Sequence, residues 1–179
     1  MSDVLGLTYL GINELRALVD EIDKKLIEMA LASKVAGSEA DLVVRDLKPS
    51  DIGLSNEVWS IDFSGGNAND WNRITPSNGQ KADTKTVAFY GFANLSPNPV
   101  TTGLRFTQGY TRDVEVRAEF MSLERAYIKQ EPEMIFQQVV YYNKDEYMNI
   151  YAYISATQVE KLILYGRVCE PIGKVISKR

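Results

Sequence analysis

Two hydrophobic periods divide this chain. Between Ile12 and Met29 apolar residues recur at Ile12, Leu15, Val19, Ile22, Leu26 and Met29, in alternating steps of three and four. At 3.6 residues per turn, that spacing returns all six side chains to one stripe of a helix. Asn13 suits the N-cap and Gly37 the stop beyond the C-terminus, so the pattern predicts a helix over roughly 14–34. Asp20–Lys24 and Glu21–Lys25 are acid-before-base pairs four apart, which support a solvated opposite side. The stripe is heptad-like but short, and Ile27 and Leu31 fall off it. Two packings stay open: the helix lies on its own domain, or it joins a small bundle with copies of itself or a partner.

From Asp41 onward the period drops to two. Val114, Val116, Ala118 and Phe120 alternate with Asp113, Glu115, Arg117 and Glu119, predicting a strand with one buried and one wet face. Trp59, Ile61 and Phe63 alternate with Val58, Ser60 and Asp62 in the same way. Residues Thr86–Ala93, Met134–Tyr142, Tyr147–Ile154 and Lys161–Cys169 are further β-branched or aromatic runs, and Leu42–Leu47, Gly103–Thr107 and Lys174–Ser177 are shorter ones. Roughly eight or nine strands without intervening helical patterns predict a mainly β fold, an antiparallel jelly-roll-like β-sandwich preceded by the amphipathic helix. The division is an N-terminal helical arm over 1–40 and a β-sandwich domain over 41–179. The short polar link Asn143–Glu146 predicts a hairpin between its flanking strands. Ser64–Lys85 and Asn94–Gly103 read as long loops, where binding residues tend to gather.

Composition then removes chemistry. The 179 residues include no histidine and one cysteine, Cys169. Imidazole-based nucleophile systems, histidine-bearing zinc sites and Cys₄ clusters all lack their parts. Cys169 closes the apolar run from Leu162 to Val168 and reads as a buried, inert thiol of a chain made in a reducing cytosol. Twenty basic against 24 acidic residues give a net charge of −4 without a basic stripe, which argues against nucleic acid; Lys174, Lys178 and Arg179 read as a solvated tail. No run approaches the ~20 apolar residues of a membrane span, and Met1-Ser2-Asp3 does not open like a signal peptide. Without a secretory signal, the glycosylation pattern Asn94-Leu95-Ser96 carries no weight.

Gly65, Gly66, Asn67, Asn69 and Asp70 offer oxygens in one loop, but not at calcium-loop spacing, and they read as a solvated loop anchored by Trp71. Asp62, Asp70, Glu131 and Glu133 are the carboxylates a glycosidase pair would draw on, and nothing in the sequence pairs them. No catalytic residue, metal or cofactor is expected.

Tyrosine is the stronger lead. Of ten, five fall between Tyr141 and Tyr153. On the Tyr147–Ile154 strand, Met148, Ile150, Ala152 and Ile154 take one face, and Tyr147, Asn149, Tyr151 and Tyr153 the other. The aliphatic row should meet the core. The Tyr/Asn row then offers rigid area with polar tips, fit for a protein contact or for stacking on sugar rings. Candidate interface residues are therefore Tyr147, Asn149, Tyr151 and Tyr153, together with the helical stripe Ile12, Leu15, Val19, Ile22, Leu26 and Met29.

The helical arm Ile12–Met29, the His-free sheet from Asp41 with Pro/Asn loops, and the ending Leu162-Ile-Leu-Tyr-Gly-Arg-Val-Cys-Glu-Pro-Ile-Gly together resemble virion accessory structural proteins. Phage head decoration or cement proteins and small jelly-roll capsid proteins are similar in layout. The likeness carries no residue role. It implies a non-enzymatic homo-oligomer, possibly a trimer, attached to a larger protein lattice such as a capsid shell. Such a protein is located in the virion after synthesis in the host cytoplasm, and a non-viral one would be cytoplasmic. The rival class is a carbohydrate-binding module or glycan-processing domain that uses the tyrosine face and the long loops.

Overall fold

The computed structural model describes residues 7–8, 10–55, 57–128 and 133–173. The expected strand Lys174–Ser177, the basic tail and Glu131 lie outside them. In chain order the elements are β1 (Leu7–Thr8), α1 (Ile12–Ala32), β2 (Leu42–Asp46), β3 (Ile61–Asp62), β4 (Asp70–Arg73), β5 (Gln80–Lys81), β6 (Thr86–Asn94), β7 (Thr101–Gln108), β8 (Glu115–Met121), α2 (Glu124–Ile128), β9 (Glu133–Tyr142), β10 (Tyr147–Ile154), β11 (Val159–Glu160) and β12 (Leu162–Pro171). The fold is mainly β with antiparallel pairing. One sheet runs β1-β9-β6-β12-β2, a second runs β4-β10-β7-β8 with β5 beside β10, and β11 pairs β3.

The two larger sheets share one apolar core. From the first come Phe89, Phe92, Phe136, Val140, Tyr142 and Leu164, and from the second Leu104, Phe106, Phe120, Met148, Ile150 and Ile154, all buried. Rings meet across the gap, with Phe89 and Phe106 centroids 5.1 Å apart and Phe120 stacked on Phe136 at 4.1 Å. This is a sandwich-like arrangement, as the period-two patterns required.

The outer face of the first sheet is seated under α1. Ile22, Leu26 and Ala30 bury against Ala88 and Cys169, flanked by Leu18, Ile27, Val35, Val44, Tyr90, Val139 and Tyr141. Arg167 clamps the helix in place: Nε and Nη2 donate to Asp23 at 2.8 and 2.7 Å, and Nη1 donates to Asp46. Of the two packings open to the helix, it adopts the one on its own sheet. The buried row is Ile22-Leu26-Ala30, at steps of four with half-buried Leu18 one step before it, so the expected stripe is rotated: Ile12 is 69% exposed, while Leu15, Val19 and Met29 are half-buried. Ala30 escapes a search for large apolar residues, yet its small side chain lets the helix sit close.

The helix also starts and stops earlier than predicted. Gly11 is the N-cap, and its N–H donates to Glu14 Oε2 at 2.9 Å. At the other end Lys34 takes φ +56°, Lys34 N–H bonds Leu31 O and Val35 N–H bonds Ala30 O. This closes the helix before Gly37 is needed.

Three further expectations need correction. Asn143–Glu146 does not close a hairpin, because β9 belongs to the first sheet and β10 to the second. The turn is tight, with Glu146 N–H on Asn143 O at 3.2 Å. It carries the chain across the core, so that Val140 and Tyr142 face Met148 and Ile150 from opposite sheets instead of sharing a ladder with them. Val114 and Val116 are 73% and 59% exposed, whereas Ala118 and Phe120 are buried. The β7–β8 register slips at Arg117, from Phe106↔Ala118 to Thr107↔Val116, and this bulge turns Val116 outward. Finally, the stretch Ser64–Lys85 is not all loop, since β4 and β5 within it both pair with β10.

Candidate functional site

The outward row of β10 sits where the alternation put it: Met148, Ile150, Ala152 and Ile154 are fully buried, and Tyr147, Tyr151 and Tyr153 are half-exposed. Pairing on both flanks brings residues distant in sequence onto the same face. Tyr153 lies opposite Trp71 on β4 and Gly103 on β7, and Gly103 lies opposite Met121 on β8. The next row is Arg73, Tyr151, Arg105 and Glu119. Gly103 makes room here, since a Cβ would press on Met121 Sδ at 2.8 Å and on the Trp71 ring at 3.1 Å. Its absence lets both side chains lie across the strand.

The face is held rigid by its own contacts. Arg105 lies over the Trp71 ring, 4.0 Å from the centroid, while its Nε donates to Glu119 at 2.6 Å. Trp71 meets Tyr153 edge-on at 5.4 Å, and the Tyr153 hydroxyl donates to Asn69 O at 2.8 Å. Arg73 lies over the Tyr151 ring at 5.0 Å, donates to the Tyr151 hydroxyl, and also donates to Ser77 O at 2.6 Å. The Tyr151 hydroxyl in turn donates to Asp113 at 3.2 Å. Burial pushes the Tyr151 phenol above its usual pKa; Arg73 pulls against this and Asp113 adds to it.

The remaining expected interface residues divide. Asn149 belongs to the outward row but is 0% exposed. Its amide nitrogen donates to Gly109 O and to Asp113 Oδ1, both at 2.9 Å, so the chain itself covers it. Ile22 and Leu26 are likewise occupied within the protomer, under the first sheet. Ile12, Leu15, Val19 and Met29 keep exposed or half-exposed area on the helix side of the molecule, opposite the tyrosine face.

The three candidate carboxylates among the described residues do not converge. Asp62 is turned into its own loop by Ser64, Asp70 bonds the Trp71 N–H, and Glu133 on the other sheet accepts from Tyr165. Among the described residues no group of three or more metal-ligating side chains gathers. Burial pushes the Cys169 thiol up to about 11, which leaves it protonated beneath α1. No described helix is long and apolar enough to cross a membrane.

Two buried polar clusters were invisible to the sequence patterns. Asp51, 1% exposed, accepts a fork from Arg45 at 2.8 and 3.0 Å and a bond from Lys85 Nζ at 2.7 Å, while Arg45 Nε reaches Glu170 at 2.7 Å. Glu160, fully buried, accepts from the backbone N–H groups of Val100 and Thr101, the Thr101 hydroxyl and the Asn94 amide. Both clusters are satisfied from within and tie loops to sheet edges. Compared with protein-family models, with curated proteins and with solved structures, the chain matches none.

Proposed function

We propose that this chain is a non-enzymatic structural protein with a jelly-roll-like body, which self-associates and docks onto a larger protein lattice, most simply a virus capsid shell. Its place would then be in the virion. The observation that carries the reading is the outer face of the second sheet, over which no described helix lies and where half-exposed Trp71, Tyr151 and Tyr153 are fixed by Arg73 and Arg105. Tryptophan, tyrosine and arginine are the residues in which contact energy concentrates, and a rigid set loses little entropy on binding. One face each of the Trp71 and Tyr151 rings is already taken by a guanidinium group, which favours a protein partner over a sugar that needs an open ring to stack on. The exposed flank of α1 points the opposite way, so contacts to two neighbours need not compete.

Tyr151→Ala tests this. Sedimentation should give an unaltered, folded chain whose assembled state is weaker by about 2 kcal/mol or more. A monomer at all concentrations that instead gives specific signals on a glycan array would replace the lattice role with carbohydrate binding.

A further inference from the structure

The β7–β8 connection, residues 109–114, bends back over the Tyr147 end of the same face. Gly109 N–H donates to Tyr147 O at 3.1 Å, Gly109 O accepts from Asn149, and the Tyr110 and Tyr147 rings lie 4.8 Å apart. At the other end of the connection, one oxygen of Asp113 collects three donors: the Thr107 hydroxyl at 2.5 Å, the Asn149 amide at 2.9 Å and the Tyr151 hydroxyl at 3.2 Å. Thr107 and Asn149 are both 0% exposed. Arg73 stands behind them, donating to Asn149 Oδ1 at 3.2 Å and to the Tyr151 hydroxyl.

The middle of the connection is strained. Thr111 has φ +60°, and Arg112 N–H reaches back to Tyr110 O at 2.7 Å. That is a three-residue turn around a β-branched residue in the left-handed region, a conformation that persists only when its surroundings impose it. The anchors at Gly109 and Asp113 impose it.

We propose that residues 109–114 form a strap held shut by Asp113, and that Asp113 occupies in cis a carboxylate receptor built from Thr107, Asn149, Tyr151 and Arg73. A partner presenting an aspartate or glutamate replaces it, lifts the strap and adds Tyr147 and Asn149 to the docking face. The donor set fits that chemistry: two hydroxyls and an amide N–H, backed by a guanidinium, match an anionic oxygen better than any neutral group. This rests on the docking role proposed for the face, and it names the partner chemistry that face selects.

The test uses the whole, unbound chain and reads amide hydrogen exchange at Gly109, Arg112 and Val114. Asp113→Ala should speed exchange there by about tenfold or more while leaving both sheets protected, since hydrogen bonds to a charged acceptor are the stronger kind. Sodium acetate, used as the probe on the native chain, should speed exchange at the same amides because it competes with Asp113 for these donors, and sodium chloride at equal ionic strength should not. Unaltered exchange in Asp113→Ala, a rise spread evenly over both sheets, or equal effects of acetate and chloride would each overturn the proposal. Thr107→Val removes one donor with little change of shape. If Asp113→Ala does not fold, a smaller local rise in Thr107→Val supports the strap and no rise overturns it. Failure here leaves the Tyr151→Ala assembly measurement untouched, so the two readings fail separately.

Discussion

The outer faces of the two sheets solve the same problem in different ways. On the first, Ala88, Val44 and Cys169 are too short to shield the ladder beneath them, and α1 supplies the cover. On the second, Trp71, Tyr151, Tyr153, Arg73 and Arg105 lie across the strands and cover the ladder themselves, with the tyrosine and arginine tips held by neighbouring groups of the chain. The short side chains of the first face lie directly under the helix, with longer ones such as Tyr90 and Tyr141 flanking it. A face that shields itself remains available to a partner.

Four changes would break or sharpen this contrast. The largest effect belongs to Asp51→Asn at the edge of the covered sheet. Removing the charge takes from Lys85 the carboxylate it is paired with and leaves Arg45 with Glu170 alone in a buried site, at a cost of about 3–5 kcal/mol by denaturant melts at neutral pH. Burial opposes ionisation of Asp51, but the Arg45 fork and the Lys85 ammonium outweigh it and hold the carboxyl below the usual range. A depressed pKa stabilises above the unfolded value, about 3.9, and that stability is lost as pH falls through the folded one. The melts of the native chain and of Asp51→Asn should therefore begin to converge below about pH 4 and meet only once the pH is below the depressed folded value.

Leu26→Ala comes next. It empties a fully buried site between helix and sheet and should cost about 2–5 kcal/mol. Asp23→Ala removes the carboxylate that Arg167 grips and should cost about 1–3 kcal/mol, read from the same melts. Tyr153→Ala, on the bare face, should cost the free chain less than about 1 kcal/mol. A loss as large as that of Leu26→Ala would mean the second face is also an interior one, and the contrast would collapse.

Much of this could be read in the sequence, for reasons that also mark the limits. The alternation along Tyr147–Ile154 placed every side chain on its observed face because β10 is central in its sheet and runs without a break until Ile154. The same logic misplaced Val114 and Val116, since an alternating pattern does not show where a bulge adds a residue. Asp-Trp-Asn-Arg has no β-branched residue and reads as loop; β4 exists because β10 pairs with it, a tertiary cause. For the same reason Trp71, Arg73 and Arg105 did not register as partners of Tyr151 and Tyr153. They come from two other strands, and only register unites them. Link length suggested a hairpin at Asn143–Glu146, although a tight turn can join two sheets as readily as two neighbours. The burial of Asn149 required knowing where residues 109–114 fold.

The position of β12 bears on the order in which the chain takes shape. This strand lies between β6 and β2, and it carries both Arg167 and Cys169 on the surface where α1 rests. During synthesis α1 emerges early, but its seat is incomplete until residues 162–171 have followed it out of the ribosome. Until then the helix has only the β6 and β9 part of its platform, and β2 lacks the strand it pairs with among the described residues. Pairing across more than a hundred residues makes closure of the first sheet a late and slow event. The nascent chain is therefore most exposed to wrong association in the interval before β12 arrives.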